Sequence, residues 1–278
     1  MTTLIKRNTK IYFRDKVNIV FSMLSVMIMI ALYAMFLGNA ANWGTTEIRD
    51  SWLMSGVVAV ASVTTSLGAF SIMIEDKVNK TGKGFYASPV KRSHITAAYI
   101  ISPFVVGVIM TTLTAFTLSV YIIATGGSAL SISGYFSLAG IILLSSISST
   151  AMVCFIVSFL KSNSAYNTVS TIIGTLVGFL MGIYMPIGIV PGAVQVVMML
   201  FPPSHAAMLF RQILMEHPMQ CAFEGAPAGY LESLQQTLGI VFSFGEVEIA
   251  AVASVAYLMA SAILFFGLSV VNVRKSGK

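Results

Sequence analysis

The chain has 278 residues, of which 56% are apolar and only 9% are charged, and its formal net charge is +6. Because soluble domains usually carry about 25% charged residues, so few polar groups cannot cover a surface in water. The composition therefore excludes a water-soluble globular protein and indicates an integral membrane protein. The two cysteines, Cys154 and Cys221, do not suggest a disulfide framework, since Cys154 lies in an apolar run.

The first 17 residues are basic and carry Leu4, Ile5, Ile11 and Tyr12 at helical spacing. This pattern predicts an amphipathic helix over residues 1–17 that lies on the inner membrane leaflet. A basic tail that only sets the membrane orientation is the alternative interpretation.

Six apolar segments are long enough to cross a bilayer core of about 30 Å as helices. None contains Asp, Glu, Lys or Arg, and none alternates like a barrel strand, so we predict an all-α polytopic membrane protein. The predicted spans cover residues 18–37, 52–74, 95–124, 135–160, 166–187 and 249–271.

The basic residues predict the orientation of these spans. Fourteen of the sixteen Lys and Arg residues fall on one side, in residues 1–17, in the 75–94 loop, at Lys161 and after residue 271. Because Lys and Arg concentrate on the cytoplasmic side, both termini are predicted to be cytoplasmic. The positive charge is then a topology signal and a contact for anionic lipid, and no nucleic-acid partner is expected.

Residues 75–94 form a short cytoplasmic loop of mixed charge between the second and third predicted spans. Gly82 and Gly84 predict a turn, and Ser88–Pro89 predicts the cap and first residue of a short helix. Phe85–Tyr86 adds aromatic side chains that water alone does not favour. We interpret the loop as a docking element for a soluble partner; the alternative is an ordinary loop whose aromatics lie among the lipid headgroups.

Small residues repeat every four positions along the fifth predicted span, at Ser170, Gly174, Gly178, Gly182 and Pro186. Such a face lets another helix backbone approach closely. It is predicted either to slide during transport or to make static contacts within one subunit. Ser62 and Ser66 lie on a similar face of the second span, and the hydroxyl cluster at 145–150 is predicted to bond back to its own helix.

Residues 188–248 are predicted to be a re-entrant and external segment, because Pro191 and Pro202–Pro203 interrupt its apolar part. His205 is interpreted as a polar anchor at the outer interface. The Met215–Cys221 segment alternates Met, His, Met and Cys, and in an extended chain these soft ligands would suit Cu(I). An amphipathic external helix without a metal is the preferred interpretation.

Several motifs that bind nucleotides, couple ions or catalyse reactions are missing from the sequence. There is no Gly-x-x-x-x-Gly-Lys-Ser/Thr loop for phosphate, so the chain is predicted to bind no nucleotide. Ionisable residues are absent from the predicted spans, which argues against proton-coupled transport but leaves Na⁺ coupling through carbonyls and hydroxyls open. Neither His-Glu-x-x-His nor Gly-x-Ser-x-Gly occurs, so we predict no catalytic residue and no enzyme activity.

Two blocks of sequence resemble the permease subunits of type-2 ABC (ABC-2) exporters. The first has the acidic pair Glu75-Asp76, a glycine, and then Ser88-Pro89-Val90-Lys91-Arg92-Ser93-His94-Ile95. The second has Gly182-Ile183-Tyr184-Met185-Pro186, Ile189-Val190-Pro191, Phe201-Pro202-Pro203-Ser204-His205-Ala206 and Leu209-Phe210-Arg211. The likeness extends over nearly the whole chain in span count and loop size.

The resemblance implies a six-helix subunit with an N-terminal interfacial helix, a coupling helix between the second and third spans, and re-entrant external helices. Two permease subunits, identical or different, would pair in the plasma membrane. Each would dock a cytosolic ABC ATPase that carries the ATP and Mg²⁺, while this chain itself binds no cofactor. The implied substrates are drugs, lipids, glycans or peptides.

The same resemblance assigns roles to individual residues. The implied ATPase-coupling residues are Gly82, Lys83, Gly84, Phe85, Tyr86, Pro89 and Arg92. The implied dimer seam and transport path contain Ser62, Ser66, Ser170, Thr171, Gly174, Thr175, Gly178, Met181 and Gly182. The implied external re-entrant residues are Pro186, Pro202, Pro203, His205 and Arg211. Two other classes of function stay open: a channel or facilitator that needs no ATPase, and a membrane assembly or immunity protein.

Overall fold

The computed structural model describes residues 1–16, 19, 45–79, 81–86, 90–223, 229–245 and 247–276. The helices are α1 (Thr2–Arg14), α2 (Thr46–Val78), α3 (Thr81–Tyr86), α4 (Arg92–Ala124), α5 (Ile132–Ser158), α6 (Asn163–Leu180), α7 (Gly192–Leu200), α8 (Pro202–Leu214), α9 (Glu216–Ala222), α10 (Tyr230–Leu238) and α11 (Ala251–Ser276). A 3-10 turn covers Ile187–Ile189, and an antiparallel hairpin pairs β1 (Phe242–Phe244) with β2 (Val247–Ile249). The prediction of an all-α chain did not include this hairpin.

Four of the described helices, α2, α4, α5 and α11, are long and apolar enough to cross a membrane. They correspond to the second, third, fourth and sixth predicted spans. The first predicted span, residues 18–37, lies outside the described residues. The fifth is shorter than predicted, because α6 ends at Leu180 rather than at Ile187. The chain turns there through Gly182, whose φ of +68° is a left-handed conformation that favours glycine.

Helix α2 lies at the centre of the bundle and packs against α4, α5, α6 and α8. In the most apolar 18-residue stretch of α2, 72% of the residues are buried. In the corresponding stretch of α11, only 22% are buried. Side chains of α11 such as Val252 and Ile263 are more than two-thirds exposed, at 79% and 72%. Apolar side chains that no helix covers suit the hydrocarbon of a bilayer, so α11 is suited to face lipid and α2 is not.

Hydroxyl groups join α2 to α5 inside the bundle. The Ser62 hydroxyl lies 2.7 Å from that of Ser145 and 3.0 Å from that of Ser149, and Ser66 lies 3.2 Å from Thr150. The prediction that the 145–150 cluster bonds back to its own helix is therefore wrong for these three α5 hydroxyls. Small side chains on both helices bring the backbones close enough for the hydroxyls to reach across.

The broken apolar segment forms two helices, α7 and α8, which meet at 92°. The break falls at Phe201, because Pro202 begins α8 and has no N–H to continue the preceding helix. At a rise of about 1.5 Å per residue, α7 is about 14 Å long and α8 about 20 Å. Neither arm alone spans a core of about 30 Å.

The 75–94 loop differs from its predicted structure. A short helix, α3, occupies the Gly82–Gly84 region that was predicted to turn, while Val90 and Lys91 are not helical. Helix α4 begins only at Arg92, not at Pro89. A glycine disfavours a helix by only about 1 kcal/mol, so the two glycines do not exclude one.

Candidate functional site

At the end of the bundle that contains α1, one carboxylate joins three helices. Arg7 donates two hydrogen bonds to Asp76, from Nη1 to Oδ2 at 2.7 Å and from Nη2 to Oδ1 at 2.9 Å. The Tyr99 hydroxyl donates to the same Oδ2 at 2.7 Å. These bonds connect α1, α2 and α4. The hydrogen bond to Asp76 raises the pKa of Arg7 above its ordinary value, so the guanidinium stays charged.

Helix α1 packs on α2 and α4 through a side that includes Asn8 and Tyr12. Asn8 donates to the Ser102 hydroxyl at 3.3 Å. Tyr12 is 6% exposed and belongs to an apolar cluster with residues of α2 and α4, whereas Ile11 is 37% exposed. The position of α1 relative to a membrane leaflet remains a prediction.

The predicted ATPase-coupling residues lie in and beside α3. Gly82, Gly84 and Phe85 are in this helix, Gly84 is exposed, and Phe85 is half-buried. The Arg7 guanidinium carbon lies 5.1 Å from the centre of the Phe85 ring. Lys83, Tyr86 and Arg92 have helical backbones, but their side chains lie outside the described part of the chain, as does all of Pro89.

The predicted seam along α6 divides into two parts. Thr171, Gly174 and Thr175 are exposed, and no atom of another element would lie within 4 Å of a Cβ placed on Gly174. A Cβ on Gly178 would instead lie 2.5 Å from the ring of Tyr184. The four-residue repeat therefore does not form one continuous surface. The chain folds back after Leu180, and Tyr184 covers the end of the repeat at Gly178. Ser170, just before the exposed residues, is half-buried.

Ser62 and Ser66 do not share the open face of α6. Both are fully buried, and their hydroxyls bond to α5 as described above. The small-residue faces of α2 and α6 look alike in sequence. In the structure, the face of α2 is buried within the chain, while part of the face of α6 is exposed. In this subunit, Ser62 and Ser66 hold two helices together.

Arg211 binds backbone carbonyls at the opposite end of the bundle from α1. Its side chain is only 1% exposed. Nη2 donates to the carbonyls of Met181 and Gly182, each at 2.9 Å, and Nη1 donates to Gly239 at 3.4 Å. These carbonyls follow the C-termini of α6 and α10, where the helix dipoles are negative. The guanidinium carbon is 5.3 Å from the Trp52 ring centre, and no described carboxylate forms an ion pair with Arg211.

Two neighbours of Arg211 also bind carbonyls next to Gly239, at the end of α10. The indole Nε1 of Trp52 donates to the Leu238 carbonyl at 2.8 Å, and Gln212 donates to the Ile240 carbonyl at 2.9 Å. Side chains of α2 and α8 thus satisfy the last carbonyls of α10. The external segment is thereby attached to the start of α2 and to the end of α6.

His205 connects three helices inside the chain, and it is only 4% exposed. Its Nε2 lies 2.8 Å from the Met199 carbonyl, and its Nδ1 lies 2.9 Å from the Ser254 hydroxyl. A carbonyl only accepts, so Nε2 carries a proton. The imidazole therefore joins α7, α8 and α11. Pro202 and Pro203 are also buried, in the first turn of α8.

The alternating Met, His, Met and Cys residues do not form a ligand row. They lie in or next to α9, a helix, so an extended arrangement is excluded. Met215 and Met219 are buried, while Cys221 is exposed with its Sγ 3.8 Å from the His217 ring nitrogens. Among the described residues, no three His, Cys, Asp or Glu side chains are grouped to hold a metal.

Replacing Gly188 with Ala is expected to destabilise the external segment by about 1–3 kcal/mol, the usual cost of overpacking. The added Cβ would lie 2.5 Å from the Cα of Thr237, so the 3-10 turn and α10 must separate. Thermal unfolding of the purified protein checks this prediction. Gly192→Ala is the matched control, because a Cβ there meets nothing within 4 Å. Equal unfolding temperatures for the two variants would contradict the prediction.

Comparison with known proteins identifies one family. A family model described as ABC-2 family transporter protein matches residues 44–271. The match begins just before α2 and ends within α11, so it includes α3, α6 and the whole external segment, while α1 lies outside it. A search of curated proteins found no match.

Proposed function

Because that match covers most of its length, the chain belongs to the ABC-2 family of transporter proteins, and we propose that it is the permease subunit of an ATP-driven exporter. A separate cytosolic ABC ATPase binds and hydrolyses ATP with Mg²⁺, and this chain binds no cofactor. The proposed topology has six spans, with residues 18–37 as the first and α6 as the fifth. The α7–α8 pair is re-entrant, and both termini are in the cytoplasm at the plasma membrane.

The position of α3 is the observation that carries this proposal. This short helix lies between the ends of two long apolar helices, α2 and α4, and contacts α1 through Phe85. A helix transmits displacement along its axis because its backbone hydrogen bonds resist compression. A soluble partner that moves α3 therefore moves the ends of two predicted spans directly.

The exposed face of α6 supports pairing with a second permease subunit. Asn167, Thr168, Thr171 and Thr175 are exposed on a helix that packs mainly against α2. The Thr171 and Thr175 hydroxyls donate to carbonyls of their own helix, at 2.9 Å each, so they carry no unsatisfied donor. Polar side chains are uncommon against lipid but suit a helix interface or a transport path.

The proposed mechanism follows from these two surfaces. ATP binding and hydrolysis move the attached ATPase, α3 passes the movement to α2 and α4, and the seam between two copies of α6 opens or closes. Drugs, lipids, glycans and peptides are the proposed substrate classes. Because α2 packs against both α4 and α6, it provides a contiguous connection between the docking element and the path.

We expect a cytosolic ABC ATPase to co-purify with the tagged chain from native membranes in mild detergent, in a fixed ratio. Mass spectrometry identifies the chains and their ratio, and a second permease sequence in the sample would indicate a heterodimer. Cross-linking through Lys83 or Lys91 captures a weak complex. If no ATPase appears even after cross-linking, the exporter proposal is wrong, and the channel and assembly functions become the leading candidates.

A further inference from the structure

We propose that Arg7 is a positioning residue, whose guanidinium holds α3 against α1 and against the ends of α2 and α4. This inference rests on the proposed function, in which α3 docks the ATPase. It assigns a role in coupling to one side chain of α1, a helix that lies outside the matched family region.

The ion pair between Arg7 and Asp76 is better formed than an ordinary surface pair. Both guanidinium nitrogens bind the carboxylate, which also accepts from Tyr99. The Asp76 side chain is 11% exposed and that of Arg7 is 32% exposed, so water screens the pair only partly. Bidentate, hydrogen-bonded pairs fix direction as well as distance. Helix α1 is therefore held at one angle to the ends of α2 and α4.

The same guanidinium also contacts α3. Its edge binds Asp76, and its carbon lies 5.1 Å from the Phe85 ring centre. A planar delocalised cation can bind a carboxylate with its edge and an aromatic ring with its face, whereas a lysine ammonium cannot do both in this way. One side chain of α1 thus contacts α2 and α3 directly, and it reaches α4 through the carboxylate that Tyr99 also binds.

Two further contacts make α1 move with the bundle rather than pivot on Arg7. Asn8 bonds to Ser102 on α4, and Tyr12 packs in an apolar cluster one turn further along. Arg14, in the last turn of the same helix, is exposed. Arg14 therefore provides a matched control: it is the same residue type on the same helix.

The first test measures hydrogen–deuterium exchange in residues 81–86 of the full chain without any ATPase. If Arg7 positions α3, Arg7→Ala increases this exchange by about tenfold, since local opening becomes easier. Arg7→Lys increases it by a smaller factor, and Arg14→Ala leaves it unchanged. Equal exchange in Arg7→Ala and Arg14→Ala overturns the inference, whatever partner the protein has.

The second test measures coupling in the complex with the co-purified ATPase, reconstituted in nanodiscs. Thr175→Cys in a Cys221→Ser background reports on α6, since the remaining Cys154 is buried. A water-soluble maleimide labels the new cysteine with and without ATP, Mg²⁺ and orthovanadate. We expect nucleotide to change the labelling rate by about fivefold or more in the parent and in Arg14→Ala.

In Arg7→Ala the ATPase still co-purifies, and the nucleotide-dependent change in labelling is lost. Arg7→Lys keeps the positive charge but loses most of the nucleotide-dependent change in labelling. A general loss of α1 structure would not explain this result. A full nucleotide response in both Arg7 variants overturns the inference. Absence of any ATPase from the parent complex overturns the proposed function instead, and the exchange experiment still decides whether Arg7 positions α3.

Discussion

Arg211→Met is expected to destabilise the protein by about 3–5 kcal/mol, because it leaves buried acceptors without donors. The methionine fills much of the space of the arginine but donates nothing to the carbonyls of Met181, Gly182 and Gly239. Each buried carbonyl left unpaired costs about 1–3 kcal/mol. These carbonyls lie at the C-terminal ends of α6 and α10. Losing their hydrogen bonds to Arg211 therefore weakens the attachment of the external segment to the bundle.

The geometry around Arg211 indicates that lysine cannot make the same bonds. The two guanidinium nitrogens bind three carbonyls on two chain segments, and the plane of the group lies near Trp52. A single ammonium cannot reproduce this fork. Gly239 also has a φ of +69°, and a Cβ there would lie 2.9 Å from Arg211 Nη1, so this corner has no room to rearrange. Arg211→Lys should fall between the parent and Arg211→Met.

Thermal unfolding of detergent-solubilised protein, followed by intrinsic fluorescence, measures this effect. Gln212→Ala is the matched control, since it removes one hydrogen bond to the Ile240 carbonyl from the next residue of the same helix. That loss should cost about 1 kcal/mol. If Arg211→Met unfolds at the same temperature as Gln212→Ala, the buried guanidinium is not what holds α6 and α10 together.

The double replacement Phe85→Ala with Tyr86→Ala is expected to uncouple the ATPase from the permease without loss of expression. Phe85 is half-buried in a six-residue helix outside the main apolar core, so we expect the bundle of long helices to fold without it. Aromatic residues in the centre of an interface commonly contribute 2 kcal/mol or more to binding. We therefore expect ATPase affinity to fall by about thirtyfold.

Binding of the purified ATPase to nanodisc-reconstituted permease measures the affinity, and nucleotide-dependent labelling at Thr175→Cys measures the coupling. Phe159→Ala is the matched control, because Phe159 is an exposed phenylalanine, 56% accessible, next to the end of α5. It should bind the ATPase like the parent. Parent-level transport or an undiminished nucleotide response in the double variant would show that α3 is not the coupling element.

Several features could be predicted from local sequence because they depend on residues close together in the chain. The apolar segments of α2, α4, α5 and α11 were identified by length and the absence of charge. The break between α7 and α8 follows from the Pro202–Pro203 pair, which cannot continue a helix. The second sequence block also led to Arg211 and His205, although not to their partners.

Other features could not be predicted, because they depend on which distant segments meet. Arg7 and Asp76 are 69 positions apart, and the sequence indicated a basic amphipathic helix and an acidic span end without showing that they meet. Ser62 resembled Ser170 as a small residue on a helix, yet it is buried against α5. Helix α3 formed where two glycines indicated a turn, and the sequence did not show that its Phe85 lies against the distant Arg7.

Composition and charge distribution by themselves determined that this is a helical membrane protein and predicted its orientation, because transfer of apolar helices into lipid depends on each segment separately. The two blocks of local sequence indicated the ABC-2 family, which the family match confirms. Only the tertiary structure decided which polar residues are covered within the chain, which face of α6 is open, and which helix contacts α3. Those outcomes depend on hydrogen bonds and packing between segments far apart in sequence, and no local pattern specifies them.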